Sequence, residues 1–512
     1  CPESEIFGKF CGEVFKTLDC QVDLAASGRA ELLLRDDGKN VPPPSPVKVA
    51  DLPGEVRLTT GTLEAVIEKK KAGLFRSLKV GGRSMLDSSG RGLVLHLPGP
   101  ARQVTRKRGN RQVKVTEYGP PRPVVAGPPS EVIVEHAGPM RAVVRLRGSF
   151  PGVHNGRLGY TVRITAFAGQ RFVKMHVWLE NHGGMGYYRQ GKKQTTTGNM
   201  EWLLFDGMAV ELGLGVGSPV RASGEGVQAD EHFKLLQLCK WNKDNSKLQY
   251  NNYEVYTLKD FEFTVTAGAK PLAKGDRSDG VVTLSGPGGK LTTAIRDFWQ
   301  NYPKAVELDG SLLKLWLWPL EGQWPRTRPV QWAGLFDKQL EALPRPGLYY
   351  LPGAVHKGHE FILDFSERTP QETSAELSRP PVALASAEHY ASTEAAPALF
   401  APAPARTGDA ECDAKLAAWT RMARSVADPQ GKTGLYEARK HSQWSAVTYF
   451  GDSTYWYGWM DFGDISIPGH GPTSLGGDWL WLMLLSAMRT GDAGFVRLAG
   501  DMARHRIDVD QH

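Results

Sequence analysis

The chain of 512 residues carries 57 glycines, 34 prolines and only 23% charged residues. That composition excludes a coiled coil, a collagen or a disordered tail, and it leaves room for roughly two to four domains with substantial cores. Its 62 Lys and Arg against 55 Asp and Glu leave a net charge of +7, mild for this length and nowhere concentrated as a nucleic-acid-binding tail requires. An acidic substrate is compatible with that charge, and no nucleic-acid partner is expected.

The chain opens at Cys1, which suggests that an N-terminal segment has been removed. The expected location is secreted or periplasmic, with a lipid anchor through Cys1 as one form of it. Cys1, Cys11 and Cys20 are crowded together at spacings that match no compact zinc site and allow one bridge, whereas Cys239 and Cys412 read as isolated thiols. The basic runs Lys69-Lys70-Lys71 and Arg106-Lys107-Arg108 read as solvated hairpin faces.

From Val56 to about Asp364 the pattern is that of strands. Leu93, Leu95 and Leu97 recur at every second position, Val144 and Leu146 alternate with Arg145 and Arg147, and Leu313, Leu315 and Leu317 alternate with Lys314, Trp316 and Trp318. Period two predicts one buried face. Turn formers such as Gly81-Gly82, Gly119-Pro120-Pro121 and Gly286-Pro287-Gly288-Gly289 punctuate the region, which suits antiparallel sandwiches or barrels better than βαβ units.

Ser386 to Asp409, with Pro397, Pro402 and Pro404 among alanines, loses the alternation and reads as a linker. Beyond it the period changes. Leu416, Trp419, Met422, Ala423 and Val426 share one helical face, as do Leu480, Met483, Leu484, Ala487 and Met488, and then Phe495, Leu498, Ala499 and Met502. Gly491 is placed to end the second helix and Asp492 to cap the third. The longest apolar run, Trp479 to Leu485, falls short of the roughly 18 to 20 residues of a membrane span. Three helices are too few for a closed toroid, so the chain is expected to be part of a longer helical domain.

No P-loop, dinucleotide fingerprint, zincin helix or G-x-S-x-G elbow is present, and His359-Glu360 lacks the second histidine of a zincin. Gly451-Asp452-Ser453 resembles the nucleophile block of GDS-type esterases, but that block opens an α/β domain and here follows a long β region. The informative stretch is Tyr436 to His512. Six of the 14 tryptophans lie beyond residue 407. Aromatic faces stack on sugar rings, while carboxylates, imidazoles and guanidinium groups hold hydroxyls and uronate carboxylates. Trp419, Trp479 and Trp481 read as helix core, and Trp456-Tyr457-Gly458-Trp459 with Asp461-Phe462-Gly463-Asp464 reads as a loop at a site. Asp508, Asp510 and His512 form an alternate-residue set compatible with a divalent cation. No cofactor is otherwise implied.

Several segments together resemble the rhamnogalacturonan exolyase type of polysaccharide lyases, the YetA-like group. They are 134–144 with Arg147-Gly148, 168–173, Ile295-Arg296-Asp297-Phe298-Trp299-Gln300-Asn301-Tyr302-Pro303-Lys304-Ala305, Leu317-Trp318-Pro319, Lys357-Gly358-His359-Glu360, Trp456 to Asp464, Arg489 to Asp492, and Ala503-Arg504-His505 through Asp510. The resemblance implies an N-terminal barrel-like β domain, a central antiparallel β-sandwich and a C-terminal (α/α) toroid. In this chain these correspond to 1–150, 151–385, a linker at 386–409, and 410–512 as the start of an incomplete toroid. It implies β-elimination on a uronate-containing, pectic, plant-type polysaccharide. A base removes the C5 proton, a cation neutralises the adjacent carboxylate and an acid protonates the leaving oxygen.

From chemistry alone, the candidates are His441 or His470 as base, Arg439 as neutraliser, and Tyr457 or Tyr449 as acid. Trp444, Trp456 and Trp459 are candidates to stack on sugars, and Asp464 and His505 to hold hydroxyls. A glycoside hydrolase would instead draw a carboxylate pair from Asp461, Asp464, Asp508 and Asp510. A non-catalytic glycan-binding protein would keep the aromatics without a working base.

Overall fold

The computed structural model describes residues 21–22, 28–32, 42–108, 111–184, 187–190, 193–196, 201, 203–244, 255–322, 348–393, 408–427, 457–460, 462–463, 466–467, 471–472 and 479–510. Two large antiparallel sheets dominate it. The first, of twelve strands, runs from Lys48–Asp51 through Glu55–Thr59, Leu63–Glu68, Ser77–Val80 and Arg83–Leu97. It continues through Gly207–Leu214, Leu312–Trp318, Lys304–Asp309, His232–Asp244 and Val255–Ala267 to Lys270–Gly275, with Arg122–Val125 paired to Arg83–Leu97 off this path as the twelfth. The second, of nine strands, runs from Val227–Asp230 through Arg221–Gly224, Val282–Gly286, Gly289–Ile295, Val355–Asp364, Phe172–Asn181, Leu158–Phe167 and Arg141–Ser149 to Glu131–Ala137.

The alternation read from sequence places the core. Val144 and Leu146 are 0% and 1% exposed. They join Val162, Ile164, Met175 and Val177 of the same sheet, and Val56, Leu58, Leu93 and Leu95 of the other, in one continuous buried cluster. The two sheets therefore share an apolar interior, each leucine in it contributing about 2 kcal/mol through burial. Residues before and after position 150 are interleaved in both sheets, so the boundary expected there does not separate the described strands.

The alternation fails at Leu312–Trp318, where Trp316 and Trp318 are as buried as the leucines between them. Trp316 packs on His96, ring centroids 5.2 Å apart, and donates its indole N–H to Glu307 at 2.8 Å. Trp318 meets Phe205, His359 and Trp459. Both faces of this strand are covered, which a one-face pattern does not foresee. Across the same sheet, Glu211 is 1% exposed and accepts two hydrogen bonds from Arg91, at 2.6 and 2.7 Å. The basic hairpin Ala101–Arg108 with Arg111–Tyr118 is a two-stranded ribbon with Arg106 and Lys107 exposed, as expected.

Helices follow the sheets. Pro370–Ser378 begins with a reciprocal capping box between Thr369 and Glu372 and packs Leu377 onto Phe172 and Ile362. A short helix, Ala387–Ser392, lies inside the stretch expected as a linker. Ala410–Ala427, Trp479–Thr490 and Ala493–His505 are helices where the periodicity predicted them. Gly491 turns at φ +67° and the Asp492 side chain accepts from the Gly494 N–H. Phe495, Leu498, Ala499 and Met502 are buried, but Trp481, expected in the core, is 39% exposed. These helices do not by themselves establish a toroid. No helix among the described residues is long and apolar enough to cross a membrane. Cys1, Cys11 and Cys20 lie outside the described residues; Cys239 and Cys412 are free thiols.

Candidate functional site at the end of the sandwich

Three stretches far apart in sequence meet at one end of the two sheets. These are the turn after Gly289–Ile295, the strand Val355–Asp364, and the C-terminal segment that begins at Tyr457. The segment docks through its backbone and its rings. The Gly458 N–H donates to Gln300 O at 2.6 Å and the Trp459 N–H to Tyr302 O at 3.0 Å. Trp459 is fully buried against Trp318, Tyr349 and Tyr350, with centroids 5.7 to 6.1 Å away. Tyr457 and Phe462 are each 6% exposed, and Tyr457 packs on Phe261 and Trp299 at 5.3 and 5.0 Å. Gly463, at φ +100°, lets the chain pass the last helix closely, since a Cβ there would lie 2.3 Å from Asp501 O.

This geometry corrects two expectations. Trp459 has no free face on which a sugar could stack, and Tyr457 is held as a packing ring rather than presented as an acid. Both are anchors of the junction. His505 is 3% exposed and lines the cavity formed there. Arg439, His441, Trp444, Tyr449, Trp456, Asp461, Asp464, His470 and His512 lie outside the described residues, as does the Asp510 side chain.

The junction brings together charged groups of which the sequence reading gave a chemical role only to Asp508. Asp508, 5% exposed, accepts from the Gly358 N–H at 3.0 Å and lies 3.6 Å from both Lys357 Nζ and His356 Nε2. Arg296 donates to Glu360 at 3.0 Å and lies 3.5 Å from Asp297. Asp297 holds a left-handed backbone, φ 51°, an uncommon conformation for a residue with a side chain. Arg504 pairs with Asp501. His176 reaches towards Glu360 and stacks on Trp178 at 3.3 Å.

Burial sets the protonation of these groups. It pushes His176 down to about 4, against the pull of Glu360 and Asp508. It pushes His359 well below the imidazole range, helped by Lys304 and Lys357, and it lowers Lys357 despite Asp508. Lys304, fully buried and bonded among the described residues only to carbonyl oxygens of Leu317 and Pro303, is lowered well below the amine range. Asp501 is pushed up to about 7 by burial and by the neighbouring Asp297. Burial raises Glu360 as well, but Arg296 and His176 outweigh it and hold the carboxyl below its usual range. The cluster thus mixes nitrogen bases driven towards neutrality with a carboxyl that keeps its proton near neutral pH, the pairing that acid–base chemistry uses.

The enclosed cavity is about 30 Å³, room for roughly one water, so a sugar ring can meet these groups only at the mouth. His359 Nε2 and Asn301 Oδ1, both on its wall, have no hydrogen-bond partner among the described residues. No group of three His, Cys, Asp or Glu side chains among the described residues is arranged to hold a metal ion. Asp508, expected as a metal or hydrolase carboxylate, is instead committed to Gly358 and its lysine.

The matched residues define the class of the fold. The model of the PcRGLX-like protein central beta sandwich domain matches residues 47–181 and 234–350, which hold many of the strands of the two sheets but not Gly207–Leu214, Arg221–Gly224, Val227–Asp230 or Val355–Asp364. The chain is also similar to the uncharacterized protein YetA of Bacillus subtilis (strain 168), 22% identical over 330 residues, 56% of this chain and 35% of that protein. It spans about a third of the length of that relative. Together these support kinship with the rhamnogalacturonan lyase-like family at a coarse level. Among solved structures, a galactose mutarotase-like protein from Lactobacillus casei aligns over 61% of this chain and 99% of its own, at 10% identity and a TM-score of 0.28. A GH31 family sulfoquinovosidase from E. rectale aligns over 62% and 32%, at 8% identity and 0.24. Neither carries an argument about activity.

The segments 295–305 and 357–360, quoted for the family resemblance, both line the site. His176 and Asp501 had no signal of their own, because they meet Glu360 and Asp297, each more than a hundred positions away.

Proposed function

We propose that the chain cleaves a uronate-containing pectic glycan by β-elimination, with the reacting sugar at the mouth of the junction. The observation that carries this reading is the match of residues 47–181 and 234–350 to the PcRGLX-like central beta sandwich domain. The chemistry at the junction supports it. Elimination needs a base for the C5 proton, a cation beside the carboxylate and a proton for the leaving oxygen. The junction supplies imidazole at His505, guanidinium groups at Arg296 and Arg504, and a retained proton at Asp501. Arg504, with a third of its side chain exposed, is the cation nearest solvent. His441 or His470 as base, Arg439 as neutraliser and Tyr449 as acid belong to the same proposal. A polymeric substrate makes the proposed location secreted or periplasmic.

Hydrolysis is the second reading, favoured by the raised Asp501, since a glycosidase acid must hold its proton. Incubation with rhamnogalacturonan separates the two. Elimination gives a conjugated product that absorbs in the ultraviolet and contains no added water, whereas a non-absorbing product carrying water overturns the proposal. Replacing Arg439 by Ala should abolish turnover with the fold intact, and unchanged turnover would remove that residue from the mechanism.

A further inference from the structure

The strand Phe172–Asn181 alternates strictly. Val173, Met175, Val177 and Leu179 enter the core, and His176, Trp178 and Glu180 point outward. His176 lines the junction cavity. Glu180 lines a separate cleft of about 430 Å³ with Ser130, Glu131, Arg147, Ser149 and His182, a volume within the roughly 300–1,000 Å³ of small-molecule sites. At a strand rise of about 3.3 Å per residue the two outward side chains stand about 13 Å apart, longer than one sugar ring.

Trp178 bridges that interval. It lies half-buried opposite Gly358, where a Cβ would come within 2.8 Å of its indole nitrogen and 2.6 Å of His176 Nε2. The two rings therefore lie across the neighbouring strand as a low shelf rather than standing out from the sheet. The Arg163 guanidinium sits 5.0 Å from the Trp178 ring and is tied to Glu135 at 2.7 Å. Arg145 is tied to Glu131 and Glu135 at 3.1 and 3.2 Å. Arg147, exposed on the same face, has no ion-pair partner among the described residues.

We propose that this face is a glycan track, in which an acidic oligosaccharide runs from the junction over Trp178 into the far cleft and places a uronate carboxylate against Arg147. The identity of the glycan rests on the reading proposed above; the track does not depend on the chemistry at its end. The same polar lining that pairs with hydroxyls, Ser130, Ser149 and Glu180, suits a sugar better than an apolar ligand.

Calorimetric titration of the chain with rhamnogalacturonan di- and hexasaccharides tests it. The hexasaccharide should bind at least about tenfold more tightly than the disaccharide, since one additional charge-assisted contact is worth that much. Arg147→Ala should erase the difference, and Arg147→Lys should keep part of it. Lys107→Ala, on the exposed hairpin, should change nothing. Equal affinity for both lengths in the wild type, or an Arg147→Ala chain that binds the hexasaccharide as the wild type does, overturns the track. Arg147-dependent binding without an unsaturated product would leave the track standing and remove the elimination reading.

Discussion

The sandwich interior and the junction with the C-terminal segment are buried to the same degree but built from opposite materials. Val144, Ile164 and Val177 are 0% exposed and belong to the continuous apolar cluster, while the polar residues Lys357, His359, His505 and Asp508 are 3 to 5% exposed. Burying charge is costly unless it is paired, and even paired charges rarely add stability over an apolar filling. The sandwich interior is therefore accounted for by folding alone. The junction is not, and the chemistry proposed at the mouth of the cleft would account for its polar groups.

That contrast can be broken most severely at Trp459. Trp459→Ala empties a fully buried aromatic site and should cost about 3 to 5 kcal/mol. Denaturant unfolding should show the loss in the docking of the C-terminal segment, with the sheets retaining their own transition. A single unchanged transition would mean that the segment is not held by this anchor.

Arg91→Ala leaves the Glu211 carboxylate buried without its partner and should destabilise the first sheet by about 3 kcal/mol. An apolar replacement of both residues should recover most of that. Loss of less than about 1 kcal/mol in the single variant would class the pair with surface salt bridges.

A smaller, pH-dependent effect sharpens the comparison. The folded-state value of Asp501 is raised from 3.8 to about 7, so between those values the folded chain holds a proton that the unfolded chain has released. Its contribution to stability falls as pH rises across that window and is constant above it. Asp501→Asn removes the titration, so its melting temperature relative to wild type should climb from about pH 4 to about pH 7 and then level off. His176, lowered to about 4, acts in the opposite sense, with stability rising as pH passes from there towards the ordinary imidazole value. A difference between Asp501→Asn and wild type that stays flat with pH would show that Asp501 is ionised throughout.

Much of the scaffold was legible because it obeys one local rule at a time. Alternation placed Val144 and Leu146, and helical spacing with a Gly-Asp boundary placed Phe495 to Met502. Local rules failed where a second surface arrived from elsewhere: Trp316 and Trp318 looked half-exposed until His96 and Trp459 covered them, and Trp459 looked like a sugar platform until the sandwich end closed over it. The site residues were least legible. Gly358 and Asp508 are 150 positions apart, and His176 and Arg296 come from two further segments, so only the assembled fold reveals the cluster. His505 was nominated by its neighbourhood of polar and aromatic residues, and the structure places it on the cavity wall.

The most direct test of the junction as the working site is the turnover of His505→Gln on rhamnogalacturonan, measured beside its melting temperature. A functional junction predicts a kcat at least about a hundredfold lower, the usual loss on removing a positioned proton-transfer group, with a melting temperature close to wild type. Wild-type kcat in a folded His505→Gln chain would contradict it.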